Sequence, residues 1–480
     1  MATSTLTRRP RSQTQTATRT MRLRLQSRDW LLLSGGVGTV VALLLILQNL
    51  NTYDVAYHFF QNVALDSRAK IQDSDAALQS IALVSTTVVD SVISAGNPSS
   101  ADAPQAIYSA FDQFRRDMFR VNSNLETGAE TDAFYKAERA VYNDFWPTIT
   151  AMMAAQKRGD SAAVIQAYSA ADEVLENTII PSLTRVEEYN FAAMQRTERE
   201  ANAAIFPQAL VMMLLAVGLA VLITGLSFWL RLKVRRYLTP ALDAAAILAW
   251  LVALGVFIDM VHTPGQLKSL VEDSYYSVSA TQRIIAIATQ TNRTESAEIL
   301  DFPNAAKWQA VFDANDTLIQ QALCGYQGCV QIPFTSQRPD KIDAAVVEQA
   351  NLKLPHQGVE VLQVVPLVAN ITYVGEPQAI EQARQAYVRY LEYDRQIRDL
   401  VANNQLQAAT VLDLGDSNVA FGQFIDAVKS EKQINTDWFD RVWQQVQDSL
   451  PAHRLLFGMV GYVAVIGLLG LGVYHRYREL

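Results

Sequence analysis

The chain has 480 residues, of which 50% are apolar and 18% are charged, and its formal net charge is −8. Soluble domains usually contain about 25% charged residues. This composition excludes a disordered chain, a collagen-like chain and a basic protein that binds nucleic acid. Two cysteines are too few for a disulfide-dense scaffold or a four-cysteine zinc site. The excess of apolar residues lies in four blocks, which indicates a membrane protein.

Each of the four apolar blocks is long enough to cross a bilayer as a helix, which takes about 20 residues. The blocks are residues 30–50, 201–230, 241–261 and 455–474. The first exceeds the apolar run of a signal peptide and lacks its cleavage pattern, so we interpret it as a retained anchor. The third carries Asp243 and Asp259 near its two ends. We interpret these acids as anchors at the two membrane surfaces, with an ion or proton relay as the alternative.

The distribution of Lys and Arg predicts the orientation of the spans. Residues 1–29 contain seven Arg, the link 231–240 contains four basic residues, and the tail 475–480 contains two Arg. By contrast, residues 51–200 contain 12 basic and 21 acidic residues, and residues 262–453 contain 14 and 23. We therefore place both termini and the link in the cytoplasm of a multi-pass inner or plasma membrane protein. The two long segments are predicted to be extracytoplasmic.

The cytoplasmic pieces are too short to form an enzyme core. Motifs of the common enzyme classes are also missing, because the sequence has no H-E-x-x-H, no G-x-S-x-G and no Walker loop. The five histidines show no helical spacing that would place two of them on one metal ion. We expect no catalytic activity, no cofactor and no metal.

Apolar residues recur every three and four positions through residues 51–200, which predicts helices. The first helix continues from the membrane to about Ala95, and the second covers 105–125. The third covers 132–158 with a kink at Pro147. Gly159 is predicted to end it and Asp160 or Ser161 to cap the fourth, which runs into the second span. These four antiparallel helices predict a four-helix bundle.

The second half repeats the order of span, acidic segment and span. Helices are predicted at residues 265–301, 304–323, 377–403 and 405–448. The insertion 324–375 has no helical period. The sequence therefore predicts an all-α membrane protein with four transmembrane helices and two extracytoplasmic four-helix-bundle-like domains, which arose by internal duplication.

Cys324 and Cys329 flank a short glycine-containing loop at the start of the insertion. An oxidising compartment favours a disulfide between them. We interpret this disulfide as a structural staple, with a redox-active pair as the alternative.

Small residues recur at helical spacing in three spans, which predicts close packing of the membrane helices. They are Ala216 and Ala220, then Ala245, Ala249 and Ala253, then Gly458, Gly461, Ala464, Gly467 and Gly470.

The basic link contains Arg231, Lys233, Arg235 and Arg236. Its first expected role is to set the topology and to contact anionic membrane lipid. Contact with a cytosolic partner is the second.

Helical bundles that continue into membrane helices resemble the sensor regions of bacterial chemoreceptors. The doubled plan more closely resembles a four-span bacterial family that couples a glutamine-binding lipoprotein to the serine/threonine kinase protein kinase G. This resemblance includes the helix after the third span, with Val271–Val278 (VEDSYYSV) and Asn292–Asp301 (NRTESAEILD).

The resemblance implies a signalling adaptor that relays amino-acid availability from outside the cell to a kinase inside. Its partners would be an extracytoplasmic solute-binding lipoprotein and a cytosolic serine/threonine kinase. Independently of the resemblance, we consider a second copy of the chain as a further partner. The first alternative is a direct small-molecule sensor that works without a binding protein. A transporter and a membrane scaffold are further alternatives.

Overall fold

The computed structural model describes residues 27–94, 103–126, 128–234, 240–324, 367, 371 and 373–479. All regular structure in these residues is helical. The predicted all-α class is therefore confirmed. Most of the insertion 324–375 and the leader 1–26 lie outside the described residues.

The first half of the described chain contains seven α-helices. They are α1 Ser27–Gln61, α2 Arg68–Ile93, α3 Ala103–Ser123, α4 Gly128–Ala140, α5 Trp146–Arg158, α6 Ser161–Val174 and α7 Ile180–Val234.

The second half of the described chain contains seven more. They are α8 Pro240–Lys268, α9 Tyr276–Leu300, α10 Ala305–Cys324, α11 Glu376–Ala402, α12 Leu406–Leu412, α13 Asn418–Leu455 and α14 Tyr462–Glu479.

Short π-helical turns join several of these helices without interrupting them. The turn Val141–Phe145 precedes Pro147, and the turn Leu175–Ile179 precedes Pro181. Proline cannot donate a helical hydrogen bond and its ring crowds the preceding turn, so a wider turn accommodates it. Four further π-turns lie at Asn62–Ser67, Ser269–Tyr275, Asp413–Ser417 and Leu456–Gly461.

The predicted boundary between the third and fourth helices of the first segment is confirmed. Gly159 ends α5 with a positive φ of 70°, a conformation that glycine adopts without strain. The carboxylate of Asp160 then accepts a hydrogen bond of 3.1 Å from the backbone N–H of Ala163 and caps α6.

Four continuous helical segments are long and apolar enough to cross a membrane. They are Asp29–Ile93, Ser161–Leu232, Pro240–Leu300 and Leu406–Arg478. Each segment includes one predicted span and a long polar extension. The chain is thus a helical protein with four candidate spans, as predicted.

The chain divides into two compact units. The span unit comprises the described parts of Met1–Gln48, Met212–Gly255 and Leu456–Leu480. The polar unit comprises the described parts of Asn49–Val211 and Val256–Leu455. Residues 201–211, which were predicted to belong to the second span, lie in the polar unit.

Within the span unit, small residues lie where helices approach each other. The alanines at 216, 220, 245, 249 and 253 are all buried. A Cβ atom at Gly461 would lie 2.7 Å from Val252, and Gly472 is in similarly close contact with Leu242. The predicted stripe on the last span continues only to Gly461, because Ala464, Gly467 and Gly470 are exposed.

The two long segments between the spans lie in a single polar unit and share a core. Helix α2 of the first segment packs against α9 of the second. The hydrophobic core of the first segment also includes Ala297 from α9 and Trp308 from α10. A second core, centred on Ile284, Tyr390 and Phe424, belongs to the second segment.

Candidate functional site

Helix α9 lies at the centre of the polar unit and is buried along most of its length. Its residues 291–298 are all buried, and seven of these eight residues are polar or charged. A buried polar group without a hydrogen-bond partner is costly. The partners of this stretch therefore determine how the two halves of the polar unit fit together. We refer to residues 291–298 and the side chains that bind them as the central polar layer.

Arg293 connects the two halves through ion pairs. Its guanidinium donates to the carboxylates of Asp172 and Glu176, which lie at the end of the α6 segment and in the π-turn after it. Burial lowers the pKa of Arg293, but the two carboxylates more than offset this effect, so the pKa is raised and the side chain stays charged. Gln290 donates a further hydrogen bond of 2.6 Å to Glu176. The Lys307 ammonium lies 4.0 Å from Asp172.

Three carboxyl groups meet one helical turn further along α9. The Ser296 hydroxyl lies 3.0 Å from Asp413 and 3.3 Å from Asp90. The Ser417 hydroxyl donates to Glu295 at 2.7 Å. We call Asp90, Glu295 and Asp413 the carboxyl cluster. It joins α2 of the first half to α9 and the π-turn after α12 in the second.

Helix α11 closes the second half around this cluster. The Tyr390 ring is fully buried, and burial together with the charges of Glu295 and Asp394 raises the pKa of its hydroxyl well above the usual value. Asp394 accepts a hydrogen bond of 3.1 Å from Arg398. Burial nevertheless raises the pKa of Asp394 to about 7.

A second polar contact between the halves lies two to three turns before the central polar layer along α9. Glu187 of α7 accepts hydrogen bonds of 3.1 Å from Arg283 and 3.3 Å from Ser279. The neighbouring Asp75 of α2 is buried, and burial together with the charge of Glu187 raises its pKa well above the ordinary value.

A third polar contact lies at the predicted membrane surface. Asp259 accepts a hydrogen bond of 2.6 Å from the Tyr53 hydroxyl and lies 2.9 Å from the His453 ring. Arg454 donates to Asp54 at 3.0 Å. These contacts connect residues at or next to the ends of three of the four predicted spans. Asp259 thus has partners from two other segments, and its role as an interfacial anchor stays a prediction.

The residues predicted from the sequence do not come together in one site. Arg231 lies 2.8 Å from Asp243, the acid at the other end of the third span. The side chain of Lys233 and residues Arg235 and Arg236 lie outside the described part of the chain.

Cys324, the last residue of α10, is disulfide-bonded. Cys329, the other cysteine of the sequence, lies outside the described residues.

The central polar layer was not predicted from the sequence, although part of the same stretch carries the resemblance described above. A run of seven polar residues in eight usually marks a solvated helix surface, and helical periodicity does not distinguish that case from burial. The signal in the sequence was that this stretch has no apolar face opposite the polar one. If such a stretch is buried, its side chains must bind polar partners elsewhere in the chain.

Within the described residues, no group of three or more His, Cys, Asp or Glu has the geometry of a metal site. The carboxyl cluster therefore does not form a ready coordination shell. An open depression of about 890 Å³ lies at the turn between α11 and α12 and is lined by Leu400, Gln405 and Val411, among others.

Comparisons of the chain with models of protein families, with curated proteins and with solved structures give no match.

Proposed function

We propose that the protein is a membrane signalling adaptor that relays an extracytoplasmic binding event to a cytosolic partner. The observation that carries this proposal is helix continuity. Each of the four segments Asp29–Ile93, Ser161–Leu232, Pro240–Leu300 and Leu406–Arg478 includes both a candidate span and part of the polar unit. A continuous helix resists compression and bending, so a shift, tilt or rotation at one end reaches the other.

The polar contacts between the two halves of the polar unit are the part of the protein that would switch between two arrangements. Ion pairs such as that of Arg293 with Asp172 fix one arrangement of α6 against α9. Breaking a buried pair typically costs about 3–5 kcal/mol. Moving a two-state equilibrium from 1:99 to 99:1 takes about 5.5 kcal/mol of differential binding. One tightly bound external partner can therefore supply the free energy to rearrange one such contact.

The direction of the relay follows from the charge distribution. The arginine-rich residues 1–29, the link 231–240 and the tail 475–480 would lie in the cytoplasm, and the polar unit would lie outside. The resemblance noted above suggests the classes of partner. They are a solute-binding lipoprotein at the polar unit and a serine/threonine kinase at the cytoplasmic pieces, with anionic lipid around the basic link.

Site-specific photo-crosslinking in native membranes tests the proposal. A crosslinking amino acid is placed at Phe119, which is exposed on α3, or at Leu232, which is exposed at the end of α7. We expect a solute-binding lipoprotein from position 119 and a protein kinase from position 232. Leu47, exposed within the first span, is the matched control and should crosslink neither. Recovery of the same soluble protein from both test positions would contradict the relay.

Direct small-molecule sensing is the second candidate, and the depression between α11 and α12 favours it. A metabolite bound there should raise the unfolding temperature of the full-length protein. The substitution Val411→Glu, in the wall of the depression, should abolish that stabilisation. Stabilisation that persists in this variant would exclude the depression as the binding site.

A further inference from the structure

The carboxyl cluster has more negative charge than its surroundings can compensate. Glu295 and Asp413 are fully buried, and Asp90 is half-buried. Among the described residues, none of the three forms an ion pair with Lys, Arg or His. In such surroundings the charged form of a carboxyl group is strongly disfavoured relative to the protonated form.

The hydroxyl groups nearby are too few to satisfy three carboxylates. The single proton of the Ser296 hydroxyl can serve either Asp413 or Asp90, which lie 3.0 and 3.3 Å away. The Ser417 hydroxyl donates a hydrogen bond to only one oxygen of Glu295. The other oxygen of Glu295 and the fully buried hydroxyl of Tyr390 have no hydrogen-bond partner in the part of the chain that the structure describes.

We propose that Asp90, Glu295 and Asp413 form a proton-binding site that holds the two halves of the polar unit together. When the cluster is protonated, a carboxyl group donates to a neighbouring carboxylate, and α2 stays packed against α9. When the protons leave, the charges on α2, on α9 and on the π-turn after α12 repel each other and loosen the contact. The proposal concerns the protein's own response to pH, and it does not depend on the signalling role proposed above.

The electrostatic environment supports the protonated form. Burial and the charge of Asp413 raise the pKa of Asp90 to about 7. Burial raises the pKa of Asp413 to about 6. Burial and Asp413 together raise the pKa of Glu295 well above its usual range. Because these groups interact, their protons leave in steps that belong to the cluster as a whole rather than to single residues.

Other charged and titratable groups around the cluster are largely engaged with each other. Arg293 is paired with Asp172 and Glu176, and Arg398 with Asp394 and Asp313. The remaining titratable groups near the cluster come from α6, α9 and α11, and are Tyr168, Glu298, Tyr387 and Tyr390.

The sign of the pH effect follows from the raised pKa values. An unfolded Asp or Glu titrates near pH 4, so between about pH 4 and 7 the folded protein binds more protons than the unfolded chain. The stabilisation is therefore complete below about pH 4 and is lost as the pH rises through about 6 to 7. A more acidic exterior would strengthen the contact between the halves.

The test is thermal unfolding of the full-length protein in detergent micelles at pH 5.5 and pH 8. The wild type should unfold several degrees higher at pH 5.5. The triple variant Asp90→Asn, Glu295→Gln, Asp413→Asn, which mimics the protonated cluster, should lose most of this difference and should match or exceed the wild type at pH 8. Asp75, Asp394 and Glu431 also have raised pKa values and are unchanged in both proteins, so a residual pH dependence is expected.

Asp416→Asn is the matched control, because Asp416 lies in the same π-turn as Asp413 but is exposed. It should retain the full pH difference. A pH difference that is unchanged in the triple variant would overturn the proposal. So would stabilisation of the wild type at pH 8 by added Na⁺ or Ca²⁺ that the triple variant lacks, since the cluster would then bind a cation.

Infrared spectroscopy of the wild type provides a test that needs no stable variant. Protonated carboxyl groups have a carbonyl stretch distinct from that of carboxylates. This band should be present at pH 5.5 and should fall by several carboxyl groups between pH 6 and pH 8, because Asp75 and Asp394 contribute to it beside the cluster. Its absence at pH 5.5 would contradict a protonated cluster.

Discussion

Replacing Arg293 by methionine should strongly destabilise the polar unit. The guanidinium is only 2% exposed, and its partner Asp172 is 7% exposed. Removal of Arg293 leaves that carboxylate buried with the Lys307 ammonium at 4.0 Å as its remaining ion pair. Removing one partner of a buried pair costs about 3–5 kcal/mol. Because Glu176 is 28% exposed and can regain water, we expect a cost near the lower end, about 3 kcal/mol.

Thermal unfolding of the full-length protein in detergent measures this effect. For a unit of this size, about 1 kcal/mol shifts the unfolding temperature by about 1–2 °C, so we expect a fall of about 4 °C. Hydrogen exchange followed by mass spectrometry should place the loss of protection in α6 and α9, since local contacts determine local opening.

The matched control is Arg384→Met, which breaks a partly exposed pair with Glu381 one turn away on α11. Pairs of that kind contribute about 0–1 kcal/mol. A second comparison is the triple variant Arg293→Met, Asp172→Asn, Glu176→Gln, which leaves no buried charge and should recover at least half of the lost stability. Equal shifts for Arg293→Met and Arg384→Met would refute the reasoning, as would a triple variant less stable than Arg293→Met.

Three further substitutions test other contacts by the same unfolding measurement. Gly472→Val in the packed part of the span unit should destabilise by about 1–3 kcal/mol through overpacking, whereas Gly467→Val, which meets open space, should be nearly neutral. Asp259→Ala removes the shared acceptor at the predicted membrane surface and should cost about 1–3 kcal/mol. Asp160→Ala removes the cap of α6 and should cost about 1 kcal/mol. Neutral effects of Gly472→Val, Asp259→Ala and Asp160→Ala would contradict these assignments.

Features that depend on neighbouring residues were predictable from the sequence. The helix stop at Gly159, the cap at Asp160 and the irregularity before Pro147 each follow from the conformational preference of one residue. The four apolar spans follow from composition alone.

The central polar layer was not predictable in this way, because its partners are distant in the sequence. Arg293 and Asp172 are 121 residues apart, and Ser296 and Asp90 are 206 residues apart. A pattern of polar residues on α9 does not show which other helix covers it. For the same reason, the sequence suggested two separate bundles, whereas the two long segments share one compact unit.

The proposed relay requires that a change in the polar unit alters the helix ends that are predicted to lie in the cytoplasm. It is tested most directly by the distance between spin labels at Leu232→Cys and Tyr474→Cys, two exposed positions near those ends. Labelling without reductant spares the disulfide-bonded Cys324. In lipid nanodiscs, adding Arg293→Met should shift the distance distribution, and adding Arg384→Met should leave it unchanged. Identical distributions in all three proteins would contradict the relay.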